Sequence, residues 1–163
     1  MRKLIAVAVL LGCAAQAAPE WKVTTSVDKM TDAKHVLLTT DSVSGPKSTL
    51  TAACLGSKGD DFRLAILVPF VVNYRRVGSY YEARGMWRAD SDQAEALDFD
   101  VKKASPSVAE FPVIRKGREQ WLRKWAGKSR LVLQVPAYGR GVETLEFDLA
   151  GFDPAHLAAC YKP

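Results

Sequence analysis

Apolar and polar residues alternate with a period of two along most of this chain, and the period changes to about 3.6 in one stretch only. The alternation predicts strands over residues 21–26 (WKVTTS), 35–40 (HVLLTT), 48–55 (STLTAACL), 62–73 (FRLAILVPFVVN), 80–88 (YYEARGMWR), 94–102 (AEALDFDVK), 130–135 (RLVLQV) and 142–149 (VETLEFDL). Residues 41–47, 56–61 and 104–109 read as connections from their Ser, Gly, Pro and polar content, and residues 74–79 as a turn. Pro69 lies inside the longest of these runs. A proline cannot donate to a ladder, so it marks an edge, a bulge or a passage between sheets.

Within residues 80–88, Tyr81, Ala83, Gly85 and Trp87 share the face that suits a core, being small or aromatic throughout. The change of period falls at residues 115–126, where Ile114, Trp121, Leu122 and Trp125 share one helical face. Lys116, Glu119, Arg123 and Lys124 lie on the wet side, and Gly127 supplies the stop signal. A hairpin through Gly139-Arg140-Gly141 follows, and then a helical turn capped by Asp153 with Pro154 in its first position. This last third is the unit that the upstream strands pack against. The pattern predicts a mainly β domain, an antiparallel sandwich or a partly open barrel with one amphipathic helix and a short C-terminal helical turn. The alternative is an α+β layer in which the helix covers a single sheet.

The first residues do not belong to that pattern. Arg2 and Lys3, the apolar run 4–11 and the small residues Ala15-Gln16-Ala17 have the layout of a signal peptide over 1–17, leaving 18–163 as one β-rich domain. The run is too short to span a bilayer as a permanent helix, so the mature chain is expected to hold no transmembrane segment. Export implies a periplasmic or secreted protein. A second reading of Leu10-Leu11-Gly12-Cys13 is a lipoprotein box, with a lipid anchor at Cys13.

Either route leaves Cys54 and Cys160 available to each other in an oxidising compartment, which predicts a disulfide between them. Closing a loop of roughly a hundred residues contributes about 4 to 5 kcal/mol in the chain-entropy account. Two buried free thiols are the alternative. Losing Arg2 and Lys3 with the leader lowers the formal charge from +5 by two, leaving a mildly basic chain without the footprint of a nucleic-acid binder.

No GxSxG, HExxH, P-loop or CxxC pattern occurs. His35 and His156 are the two histidines, and neither stands at ligand spacing from another His or a Cys, so no metal and no cofactor is expected. The residues singled out for binding are Arg75, Arg76, Arg84 and Arg88 with Tyr80, in a hairpin that also holds Tyr74 and Tyr81. Arg and Tyr are the side chains most enriched at binding hot spots, which makes this hairpin the expected protein-contact surface.

Several segments together resemble the periplasmic accessory proteins of type VI secretion, of the VasI or TagO type, and their exported relatives. They are Trp21-Lys22-Val23 followed by Lys29-Met30-Thr31-Asp32, then Leu50 to Cys54, Arg84, Leu131 to Pro136, and Phe147-Asp148-Leu149-Ala150-Gly151 before Ala159-Cys160. Gly85 and Gln134 depart from the acidic and basic residues common at those places in that group. The resemblance implies a β-rich, disulfide-tied, non-enzymatic envelope protein. The expected function is therefore an exported accessory or binding protein that meets an envelope protein partner through its surface. An inhibitor of an envelope-acting hydrolase such as a lysozyme, and a wall-acting hydrolase, are the two alternatives.

Overall fold

The computed structural model describes residues 20–55, 61–111 and 118–158. Ten strands dominate them: β1 (Lys22–Val27), β2 (Lys34–Ser44), β3 (Thr49–Leu55), β4 (Asp61–Leu67), β5 (Arg75–Val77), β6 (Tyr80–Ala89), β7 (Glu95–Lys102), β8 (Ser105–Glu110), β9 (Arg130–Ala137) and β10 (Gly141–Asp148). One α-helix, α1 (Arg118–Trp125), and a 3-10 turn at Pro154–Leu157 complete the described elements.

Every strand pairing is antiparallel, and the order β2-β10-β9-β6-β7-β8-β4-β3 returns to β2, closing a barrel of eight strands. The fold is mainly β, as the alternation predicts, and it is a closed barrel instead of a sandwich or an α+β layer. Closure abolishes most of the edges that a sandwich would leave. β1 runs along β2 outside the ring, and β5 pairs with the start of β6.

The inward-facing residues alternate as the pleat requires. Leu38, Leu50, Leu64, Ile66, Phe99, Leu131, Leu133, Val135, Leu145 and Phe147 are fully buried, and side chains fill the barrel. On β6 the buried face is Ala83, Gly85, Trp87 and Ala89, with Tyr81 half-buried, which is the face the alternation assigns to the core.

Two long connections leave the meander order. The one after β4 carries Val68, Phe70 and Val72, all buried although the ladder of β4 has ended at Leu67. Pro69 falls just past that end, so the run read as one strand over 62–73 is a shorter strand followed by a segment that buries alternate side chains. The second connection, from β8 to β9, carries α1 across one end of the barrel. The described helix is shorter than the predicted 115–126, of which residues 115–117, and Ile114 before them, lie outside the described residues. Trp121, Leu122 and Trp125 are buried as expected, and Gly127 takes the left-handed conformation (φ 72°) just past the helix end.

Rings stitch that end together. Trp125 meets Phe111 and Phe152, with centroids 5.5 and 5.9 Å apart, and Phe111 also meets Trp121 and Phe99 at 5.2 and 5.4 Å. Trp21 stacks at a tilt on Phe152 at 4.9 Å, tying the start of the described chain to the segment after β10. Cys54 is fully buried in β3, and its expected partner Cys160 lies outside the described residues, as do the leader and Cys13.

The turn after β6 fixes where α1 leaves off and β9 begins. Asp90, with φ 46°, accepts from the Ser129 hydroxyl at 2.8 Å and from the backbone N–H groups of Ser129 and Arg130 at 3.0 and 2.8 Å. These bonds, led by the Ser129 hydroxyl, together with the Lys128 charge, hold its carboxyl below the ordinary carboxylate range. A folded-state value below the unfolded one stabilises the fold above about pH 4, and that contribution disappears as pH falls through the lowered value. Asp90→Asn keeps a residue that tolerates positive φ and removes the charge. Its urea midpoint should lie below the wild type's at neutral pH, and the gap should be smaller at pH 3. A gap of equal size at both pH values would show that the carboxylate contributes nothing.

Candidate binding groove

The candidate site lies along β7. β7 is paired with β6 from Glu95 to Val101, whereas on its other side β8 meets it only at Asp100, Val101 and Lys102, with a register shift before the last. β8 lies between β7 and β4, pairing with β4 through Val108, Ala109 and Glu110. Among the described residues no ladder partner is seen for β7 from Glu95 to Phe99 on the β8 side, where the chain passes from Glu110 and Phe111 to residues 112–117, which lie outside the described residues.

A groove of about 960 Å3 runs along this strand. Its lining comes from both faces of one strand: Glu95, Leu97 and Val101 lie on the inward side of β7, and Ala96, Asp98 and Asp100 on the outward side. A void with that lining wraps around a strand edge, since residues of opposite parity point to opposite faces. Trp87 and Trp121, 5% and 7% exposed, form an apolar floor, and Tyr80 and Tyr81 stand at the β5–β6 end. The volume is in the range that natural ligand sites occupy.

Polar residues rim the floor in ion pairs. Glu95 meets Lys124 at 2.9 Å, Glu110 meets Lys102 at 2.9 Å, and Glu82 meets Arg75 at 2.6 Å. Arg75 donates to Glu82 Oε1 through both Nε and Nη2, and those bonds with the carboxylate's charge raise the guanidinium's pKa above its ordinary value.

The hairpin singled out from the sequence forms one wall of this groove. Tyr80 lines it directly, at the edge of exposure. The arginines are spread over two strands, and the structure does not gather them into one site. Arg75 is committed to Glu82, and Arg76 donates from Nε to the Gly78 carbonyl at 3.0 Å, bracing its own turn. Arg84 and Arg88 project from the outer face of β6, Arg84 at 3.9 Å from Asp98 and Arg88 opposite Val132. An exposed pair at that separation contributes little to stability, so Arg84 and Arg88 are the two of the set open to a partner.

Lys124 is the residue whose role the sequence pattern misplaces. Its position on α1 gives it to the wet side of the helix. Its ammonium instead turns over the Trp87 ring at 4.7 Å from the centroid and sits 5.7 Å from that of Trp121. The signal that could have revealed this is spatial: Glu95 and Trp87 are ladder partners, and only the crossing of α1 over that pair brings Lys124 to them.

Among the described residues no group of three or more His, Cys, Asp and Glu side chains is placed to hold a metal, and no helix is long and apolar enough to cross a membrane. No protein-family model matches the chain, and no curated protein or solved structure shows significant similarity to it.

Proposed function

We propose that the protein is an exported, non-enzymatic binding module of the cell envelope that holds an extended segment of a protein partner along the edge of β7. The observation that carries this reading is the groove along β7, lined by both faces of Glu95–Val101 and floored by two tryptophans. Strand addition draws affinity from main-chain hydrogen bonds and specificity from pockets for alternate side chains, and a groove lined by both faces of one strand suits an extended segment. Arg84 and Arg88, on the outer face of β6, are not among the described residues that line the groove.

Export with a Cys54–Cys160 bond belongs to the same proposal and rests on the leader-like first residues and on the redox logic of the two remaining cysteines. Recovery of both as free thiols from freshly exported protein would remove that part. Service to a type VI secretion apparatus rests on the sequence resemblance alone.

The groove is tested with a photo-reactive amino acid placed at Asp98, on the outer side of the β7 edge, and at Val142, an exposed position on β10 remote from it. Irradiation in envelope fractions followed by mass spectrometry should give adducts from Asp98 to one defined protein segment, and none of that segment from Val142. The same adducts from both positions, or none from Asp98, would overturn the reading. A lysozyme-type hydrolase as the adduct would make the module an inhibitor, and turnover of purified cell wall by the isolated protein would make it a hydrolase and sink the non-enzymatic proposal.

A further inference from the structure

Three fixed groups from three elements converge on a single ammonium. Trp87 on β6 and Trp121 on α1 meet edge to face, with centroids 5.2 Å apart and planes at 75°. Glu95, the ladder partner of Trp87, closes the third side, and Lys124 Nζ lies at 2.9 Å from its Oε2 while facing the rings at 4.7 and 5.7 Å. Aromatic faces plus a carboxylate are the chemistry of a cation site, because the ring quadrupoles and the anion all favour positive charge at the same point. Trp87 and Trp121 are held almost wholly buried by their neighbours, so the site is built before any ligand arrives. The Lys124 side chain is 32% exposed and reaches the site from the end of a short helix.

The site opens into the groove along β7. Among the described lining residues Glu82, Glu95 and Glu110 are each held in an ion pair, with Arg75, Lys124 and Lys102, so it is the cation position and not a net charge of the groove that sets the ligand's chemistry. A ligand that brings a cation to that position is matched to it.

We propose that Lys124 is a placeholder: a lysine or arginine of the bound segment takes its position between Glu95, Trp87 and Trp121, and Lys124 swings out to solvent. The inference rests on the groove reading and gives its ligand a chemistry, an extended basic segment. Exchange of one cation for another keeps the rings and the carboxylate satisfied in both states, so the aromatic faces are never left bare beside an unpaired carboxylate. It also works against neutral segments. A ligand without a cation must either leave Lys124 in the groove or strip it from Glu95 with nothing to replace it.

The test uses N-acetyl-lysine N-methylamide as probe, with the norleucine analogue as its neutral match. The indole N–H signals of Trp87 and Trp121 are followed by NMR in the wild type, in Lys124→Met and in Lys124→Arg. Lys124→Met keeps the aliphatic stem that covers the rings, and Lys124→Arg keeps a competing cation. The lysine probe should bind Lys124→Met roughly threefold or more tightly than the wild type, on the worth of one partly exposed cation–π contact. Lys124→Arg should remain as weak as the wild type, and the norleucine probe should move neither indole in any of the three. Equal affinity in all three proteins, or equal response to the neutral probe, would overturn the proposal.

Failure here is separable from failure of the groove. A segment cross-linked from Asp98 that carries no lysine or arginine, with no probe binding, would sink the placeholder and leave the groove standing. Probe binding to Lys124→Met without any Asp98 adduct would leave a cation site and remove the protein segment.

Discussion

Trp125→Ala should lower the unfolding free energy by about 3 to 5 kcal/mol, the range for emptying a large aromatic site in a core that cannot fully collapse. Trp125 has no exposed surface and contacts Phe111 from the β8 side and Phe152 from beyond β10, so its loss opens a cavity under α1 as well as removing buried area. The rings of Trp121 and Trp87 depend on the same helix, and the groove floor should loosen with it. Trp121→Ala, at the groove and slightly exposed, should cost less. Trp125→Phe should cost less still, because the indole N–H is buried without a hydrogen-bond partner and phenylalanine removes that unsatisfied donor along with the second ring. Urea denaturation of the three variants checks the order. An unchanged midpoint for Trp125→Ala would mean that α1 does not close the barrel end.

The strands were legible where one face is buried and the other wet, and less so where burial and ladder separate. β6 shows the first case: its predicted inner residues are the ones the barrel encloses. β8 shows the second. SPSVAE looks like a loop because Ala109 is the only one of its residues that is fully buried, and its partners β4 and β7 come from distant parts of the chain. The first four residues of 41–47 were likewise read as loop, although β2 extends to Ser44, because the bulged pairing of Ser42 and Ser44 with β10 that closes the ring carries no apolar signature. Residues 75–77 were read as turn and form β5, a strand with two exposed arginines.

The groove was less legible than the fold. Of the residues singled out for binding, Tyr80 alone lines it, and a groove assembled from β6, β7, β8 and α1 is a relation between distant segments that no local pattern encodes. Lys124 illustrates the limit most sharply. A helical wheel assigns a direction relative to the helix axis, and a lysine stem is long enough to bring its ammonium back over rings on the apolar side.

Gly85→Ala should destabilise the barrel by about 3 kcal/mol, at the upper end of the range for overpacking, although it adds a single methyl group. A Cβ at Gly85 would fall on the backbone carbonyl oxygen of Gln134 and lie 2.7 Å from Cε2 of Phe99. Neither neighbour can give way cheaply. Gln134 is paired with Met86 on β6 and with Thr144 on β10, so moving its carbonyl disturbs two ladders. Phe99 is fully buried and rests edge to face on Phe111, which in turn packs on α1. Gly85 and Gln134 thus meet where β6 lies against β9. The methyl group therefore pushes at once on the β6–β9 pairing and on the core that supports the groove floor. Met86→Ala, one residue along on the exposed outer face, removes more atoms and should change stability by about 0.5 kcal/mol or less. Urea titration of the two variants, with amide hydrogen exchange at Trp87 and Leu133 to report on the β6–β9 ladder, decides the matter. Gly85→Ala should speed exchange at both amides and Met86→Ala at neither, and equal midpoints with unchanged exchange would show that β6 and β9 do not approach as closely as this packing requires.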